Sequence, residues 1–346
     1  MPPCPHRDRG CGVAAEPAGG DLGRAARRVV RPDAFAAVMA TGIVSIAAAD
    51  HGYRWITDVL AVLAAAGLVG LVAAAVIAWC RRPLELADPD VVLRLFTFVA
   101  ACAVLDTRLA DIPGVLWTLG GVAMAAWLVL AVLAARAMSA HRWSELQDQS
   151  HGAWELASVG TSGLVIILVQ LVRSTGWHGL LQLAVATWLL AIAIYCLMTA
   201  LILGRAFAAR LDPSGFEPDG WILMGGLAIA TLAGNYVHQE ASGWLAEGAR
   251  IVTVVTWIAA TLWIPPLIYF VIRHIQRPEA LRFAGVWWAM VFPLGMYSAS
   301  THAMAIETGW PALRTVSLVF FWIGFAGWTI VATGGLLRLT ANRSRT

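Results

Sequence analysis

The sequence predicts an all-α integral membrane protein: ten transmembrane helices, paired as five helical hairpins around a central pore, with odd helices inner and even helices outer. Three observations predict it. Apolar residues make up 59% of the 346-residue chain and charged ones 13%, about half the charged share of a soluble domain. The apolar residues fall into ten runs, most of them near the ~20 residues a helix needs to cross a bilayer. The polar residues within those runs keep to alternate runs. With a mean hydropathy of +0.72, the chain has more apolar surface than a water-soluble globule could hide. The same numbers exclude disorder for most of its length.

Residues 1–32 are rich in Arg, Gly and Pro and lack the apolar core of a signal peptide, so they read as a disordered cytoplasmic tail. Cys4, His6 and Cys11 in this tail are too few for a metal site, and no metal or other cofactor is expected.

The channel or transporter domain is residues 33–338. Span 1, Asp33–Asp50, is the shortest and carries Thr41, Gly42 and Ser45. Span 2, Trp55–Cys80, is plainly apolar (AVLAAAGLVGLVAAAVIAW). Span 3, Val91–Ala110, holds Thr97, Cys102, Asp106, Thr107 and Arg108; span 4, Pro113–Arg136, is apolar. Span 5, His151–Val172, has Ser158, Gly160, Thr161, Ser162, Gly163 and Gln170, and span 6, His178–Leu203, is again apolar. Span 7, Asp219–His238, has Gly225, Gly226, Thr231, Gly234 and Asn235; span 8 is Glu247–Arg273. Span 9, Ala284–Ile306, has Gly295, Ser298, Ser300, Thr301 and His302. Span 10, Pro311–Arg338, leads into a second cytoplasmic tail, residues 339–346. Trp55, Trp117, Trp154, Trp177, Trp221, Trp244 and Trp310 fall near run ends, where an indole favours the membrane interface.

Arginine sets the orientation. The chain has no lysine, and with the N-terminus inside, seventeen arginines fall on inner segments against five on outer ones, leaving out Arg7 and Arg9 as far from any helix. The positive-inside rule then places both termini in the cytoplasm. Small residues also serve close helix packing, but their alternation over five pairs favours odd helices turned to a common axis.

In span 9, Pro293 lacks an N–H, so the carbonyl of Ala289 loses its helical partner. A break there would make two half-helices, with a partly positive helix end inside the membrane. Phe292 sits at the break, either as ordinary packing or as a ring that plugs a narrow bore. Asp106 and Arg108 of span 3, His238 of span 7 and His302 of span 9 would ring an outer vestibule, with Arg108 attracting anions or pairing with Asp106 or Asp111. Arg94 and Glu155 lie at the inner mouth, where they would pair with each other or snorkel to the inner interface, and Glu155 could instead tune anion entry by repulsion. No catalytic, nucleotide-binding or nucleic-acid-binding motif is present, so an enzyme is not expected.

Four segments resemble the tellurite-resistance/dicarboxylate transporter (TDT) family, whose members include a bacterial tellurite-resistance channel, plant guard-cell slow anion channels, and fungal malate and sulfite transporters. They are FAAVMATGIVS at 35–45, GAWEL at 152–156, WILMGGLAIATLAG at 221–234 and WWAMVFPLG at 287–295. They are most similar to the bacterial tellurite-resistance/C4-dicarboxylate branch. The resemblance implies five hairpins around a quasi-fivefold pore and a homotrimer with one pore per subunit. It also implies that Phe292, beside Pro293, is the occluding phenylalanine. The expected pore lining is Ala36, Ala40, Thr41, Ser45, Ser158, Thr161, Ser162, Thr231, Asn235, Ser298 and Thr301. Ala36 and Ala40 stand where relatives commonly have glycine, and Glu155 where they often have an apolar residue. The expected function is passage of small anions through a phenylalanine-gated pore: monovalent anions, C4-dicarboxylates such as malate, sulfite, or tellurite. The alternative is a proton-coupled secondary transporter of C4-dicarboxylates.

Overall fold

The computed structural model describes residues 31–81, 84–112, 114–208, 218–275 and 287–343. Most of the predicted N-terminal tail, with Cys4, His6 and Cys11, lies outside the described residues. Among the described residues the chain forms eleven α-helices and no strand. They are α1 (Ala36–Asp50), α2 (Arg54–Arg81), α3 (Pro89–Arg108), α4 (Val115–Ser139), α5 (Trp143–Gln149), α6 (Leu156–Thr175), α7 (Gly179–Ala208), α8 (Ile222–Glu240), α9 (Gly243–Ile275), α10 (Trp288–Thr308) and α11 (Pro311–Arg343). Short 3₁₀ turns, Gly152–Glu155 and Pro218–Trp221, lead into α6 and α8. The short α5 has no counterpart among the predicted spans; its polar sequence WSELQDQ carries no apolar run. The last helix continues to Arg343, beyond the predicted end of span 10.

Helix ends follow local chemistry. Asp88 caps α3 by accepting the Asp90 N–H at 2.9 Å, and Pro89 fills the first turn, where its missing N–H costs nothing. Gly176 and Gly309 close α6 and α10 with φ of 69°, a left-handed turn that glycine adopts without strain.

Seven segments are long and apolar enough to cross a membrane: α2, α4, the 3₁₀ turn with α6, α7, the 3₁₀ turn with α8, α9 and α11. Of the other three, α1 has only 15 residues, α3 carries Asp90, Arg94, Asp106 and Arg108, and α10 is diluted by Ser, Thr and His. These three are nonetheless buried along most of their length. The burial alternates. In the most apolar stretches of α6 and α8, 94% of residues are buried, against 22–33% in α2, α4, α7, α9 and α11. Apolar side chains cover the exposed faces of the second group, including Val62, Val129, Leu189, Leu262 and Ile330. This is the surface of a multi-pass all-α membrane protein, with lipid as solvent for the outer helices.

Contacts explain the alternation. α1 lies against α2, α3 against α4, α6 against α7, α8 against α9, and α10 against α11. Within the buried set, α1 packs on α3, α3 on α6, α6 on α8, α8 on α10, and α10 returns to α1. A ring helix therefore meets protein on both sides and at its back, and small residues set the spacing. A Cβ at Gly163 would press on Ala103 of α3, and one at Gly225 on Pro293 of α10.

Tryptophans tie the outer helices to the ring. The indole N–H groups of Trp328, Trp127 and Trp257 donate to Thr41, Thr161 and Thr301 at 2.9, 2.9 and 3.1 Å, and Trp188 donates to the Ala230 carbonyl at 2.8 Å. Of the seven tryptophans assigned to membrane interfaces, Trp154 and Trp221 are instead buried, beside the 3₁₀ turns.

The tightest approach is at Gly152, whose Cβ position is already filled by the backbone of Asp219 and Gly220. Backbone cannot rotate aside as a side chain can. Gly152→Ala is expected to destabilise the protein by ~3 kcal/mol or more, read as a lowered unfolding temperature in detergent. An unchanged temperature would mean the two turns separate freely.

Candidate functional site

The C-terminal ends of all five ring helices meet around a cavity of about 450 Å³. Its walls include Ile46 and Asp50 from α1, Thr107 from α3, Arg173 from α6, Asn235 and Tyr236 from α8, and His302, Ala303 and Glu307 from α10. It opens at a rim where Gln239 and Ile306 are exposed. The polar wall is internally bonded. Arg173 donates to Glu240 at 2.6 Å and to Gln239 at 2.7 Å, and its guanidinium lies over the Tyr236 ring. Asn235 donates to Glu307 at 2.6 Å and accepts from Gln239 at 2.7 Å.

At the opposite end, the N-termini of four ring helices converge on His151. Its Nδ1 lies 2.7 Å from Asp219, ahead of α8, and its Nε2 lies 2.6 Å from Asp90 at the start of α3. Arg94 donates to Asp90 at 2.9 Å and lies 3.4 Å from Asp33, ahead of α1. The Ala153 N–H adds a bond to Asp219 at 3.0 Å. Burial of the imidazole favours its neutral form, but the bonds to Asp219 and Asp90 outweigh that and raise its pKa to about 9. His151 is therefore a cation at neutral pH. Since N-termini gather at one end and C-termini at the other, the ring helices run parallel.

Phe292 lies between these ends and is fully buried. It is seven and eleven residues before Ala299 and Ala303, which line the cavity. Those separations are two and three helical turns, so the three share one face of α10, with Phe292 roughly 10 Å deeper than Ala299. The same steps lead from Ile46 to Met39 on α1 and from Arg173 to Ser162 on α6. The expected break at Pro293 is absent. The helix runs continuously through Pro293, which packs against Gly225.

The residues expected to line a pore separate into two groups. In the first, hydroxyls are spent on outer helices. Thr41, Thr161 and Thr301 accept from tryptophans, as described; Ser45 donates to the Thr57 carbonyl at 2.7 Å; Thr231 bonds Thr256 at 2.9 Å; Ser298 donates to the Ser317 carbonyl at 2.8 Å. A buried hydroxyl needs a partner, and the neighbouring helix supplies one. In the second group, Asn235 lines the cavity, the hydroxyls of Ser158 and Ser162 are buried without a partner, and Ala36 and Ala40 are buried.

Of the expected vestibule residues, His238 and His302 line the cavity. Asp106 and Arg108 do not. Arg108 turns to α2 and pairs with Asp58 at 3.0 Å and Ser45 at 3.1 Å, rather than with Asp106 or Asp111. The Asp106 carboxylate is buried without a hydrogen-bond partner. Arg94 and Glu155 share an end of the ring but not a bond. Glu155 is fully buried and accepts from Thr199 of α7 at 2.7 Å, so it presents no free charge at a mouth.

Sequence reading missed Asp33, Asp90, His151 and Asp219 as a unit, and Asp50 and Tyr236 in the cavity. One signal was present: Asp90 and Arg94 stand four apart, the spacing of a helical ion pair.

The family profile described as voltage-dependent anion channel matches residues 30–336. An uncharacterized transporter of Methanocaldococcus jannaschii is 26% identical over 322 residues, covering 86% of this chain and 90% of that protein. A second uncharacterized transporter of the same organism is 26% identical over 191 residues, covering 53% and 54%. An uncharacterized membrane protein of Mycobacterium tuberculosis is 30% identical over 160 residues, covering 44% of this chain and 80% of its own length.

Proposed function

Because this chain belongs to the voltage-dependent anion channel family, we propose that it is an anion channel or facilitator whose bore follows the axis of the five ring helices and is closed by Phe292. The observation that carries this reading is the face of α10 that Phe292 shares with Ala299 and Ala303, two residues that line a cavity walled by all five ring helices. In this reading the ten helices other than α5 all span the membrane as five hairpins, and residues 33–338 form one transport domain. The arginine distribution supports cytoplasmic termini in a bacterial inner membrane, which puts the cavity on the outer side. Homotrimeric assembly, with one bore per subunit, rests on the family resemblance.

An anion entering from the cavity meets a bulky apolar ring that leaves no space for its hydration shell. A hydrophobic constriction of this kind blocks ions by dewetting. Ring rotation restores a wetted path past Met39 and Ser162. The proposed cargo is small anions, with sulfite, tellurite and C4-dicarboxylates such as malate as candidates. The proton-coupled alternative rests on the two cavity carboxylates, Asp50 and Glu307, as proton carriers.

Proteoliposomes holding an outward anion gradient, with equal pH on both sides, separate the two readings. The channel predicts downhill anion flux without a proton gradient. Accumulation of labelled malate only under a proton gradient assigns the coupled transporter.

A further inference from the structure

The three residues after Phe292 meet three different helices. Pro293 seats on α8, where a Cβ at Gly225 would lie 2.9 Å from its Cγ, 3.1 Å from its Cβ and 3.2 Å from its Cα. Leu294 faces α11, where a Cβ at Gly324 would lie 3.5 Å from the Leu294 Cβ and 3.3 Å from the backbone nitrogen of Gly295. Gly295 faces α1, and a Cβ there would lie 3.0 Å from Cγ2 of Ile43 and 3.4 Å from Cγ2 of Val44. Successive residues of an α-helix point about 100° apart. These contacts therefore place α8, α11 and α1 in turn around three sides of α10. The side left over is the one Phe292 takes, which it shares with Ala299 and Ala303 of the cavity wall.

We propose that Gly225 is a positioning residue for the constriction: its missing side chain lets Pro293 seat against α8, and that seat holds the adjoining Phe292 ring across the axis. This inference rests on the channel reading above and adds what sets the width of the bore. A methyl group at Gly225 would press on a proline, whose ring cannot rotate aside, and on the backbone Cα behind it. α10 would have to move away from α8. Interiors packed this closely transmit such a strain rather than absorb it. A ring of five helices with one spacing widened encloses a wider bore, which the Phe292 side chain no longer spans.

The test is nitrate flux into proteoliposomes holding the full-length protein. Gly225→Ala is expected to raise the flux roughly threefold or more, and to add little in a Phe292→Ala background, where no ring is left to displace. Unchanged or lowered flux overturns the proposal. An equal gain in both backgrounds also overturns it, because the effect would then not pass through the ring. Gly121→Ala on α4 is the control: a Cβ there meets no atom of another helix within 4 Å, so flux is expected to stay unchanged. A gain matching that of Gly225→Ala would mean general loosening and would overturn the proposal too. If Gly225→Ala yields no folded protein, Gly295→Ala pushes on the same turn from the α1 side, against an Ile43 side chain that can yield, and is expected to raise flux to a smaller extent. Folded Gly295→Ala protein with no gain in flux then overturns the proposal. Absence of nitrate flux in Phe292→Ala would instead sink the channel reading itself.

Discussion

Phe292→Ala is expected to raise anion current across a planar bilayer by at least about tenfold, the factor that follows from lowering a barrier by ~1.4 kcal/mol. Phe292 is fully buried, on the α10 face that leads into the cavity, with no other aromatic residue of α10 on that face between it and Ala303. Truncation removes an apolar plug and leaves room for a wetted path. It also removes packing, which for a buried phenylalanine costs ~3–5 kcal/mol of stability. The two effects come apart experimentally. Current in bilayers reports the gate, and the unfolding temperature in detergent reports the packing. Lowered stability with no gain in current would make Phe292 an ordinary core residue and end the gate.

His151→Ala is expected to destabilise the protein by about 2–4 kcal/mol, because it removes the cation beside the carboxylate of Asp219, whose side chain is 4% exposed. Asp90 contributes less, since its side chain is 35% exposed and screened by water. The pH dependence has a definite sign. The His151 pKa is raised from 6.5 to about 9, so the cation is bound more tightly in the folded protein. Its contribution is fully present below pH about 6.5 and is lost as pH rises through about 9. Unfolding temperatures of the unsubstituted protein are expected to fall between pH 7 and pH 9.5, and the alanine variant to show a much smaller fall. Parallel pH profiles for the two proteins would show that His151 is neutral in the fold. Since the cluster joins the ends of α1, α3, α6 and α8, its loss is also expected to loosen the ring at its N-terminal end. Hydrogen exchange at the amides of Ala153 and its neighbours would rise.

The membrane-embedded helical class was legible because it depends on sums. Apolar content and the length of each run determine the solvent a chain requires, whatever its topology. The alternation of buried and exposed helices was also legible, since a helix facing lipid along half its surface tolerates few polar groups, and α2, α4, α7, α9 and α11 carry few within their apolar stretches. Phe292 and Pro293 stood out as a bulky ring beside a residue that removes a backbone donor.

What the sequence could not determine was the direction in which a polar side chain on a ring helix points. Thr41, Thr231 and Ser298 have the composition of pore lining, yet they bond α11, α9 and α11. Hydroxyls on opposite faces of one buried helix look alike along the chain. Only the position of the partner helix decides which face meets a donor or acceptor and which meets the axis. Ion pairs follow the same logic. Arg108 is two residues from Asp106 and fifty from Asp58, but neighbours two apart on a helix point away from each other, and Asp58 stands opposite on α2. Linear spacing therefore determined the solvent and the helices. Tertiary structure alone decided which charges and hydroxyls are spent within the protein, because that depends on distances between helices far apart in the chain.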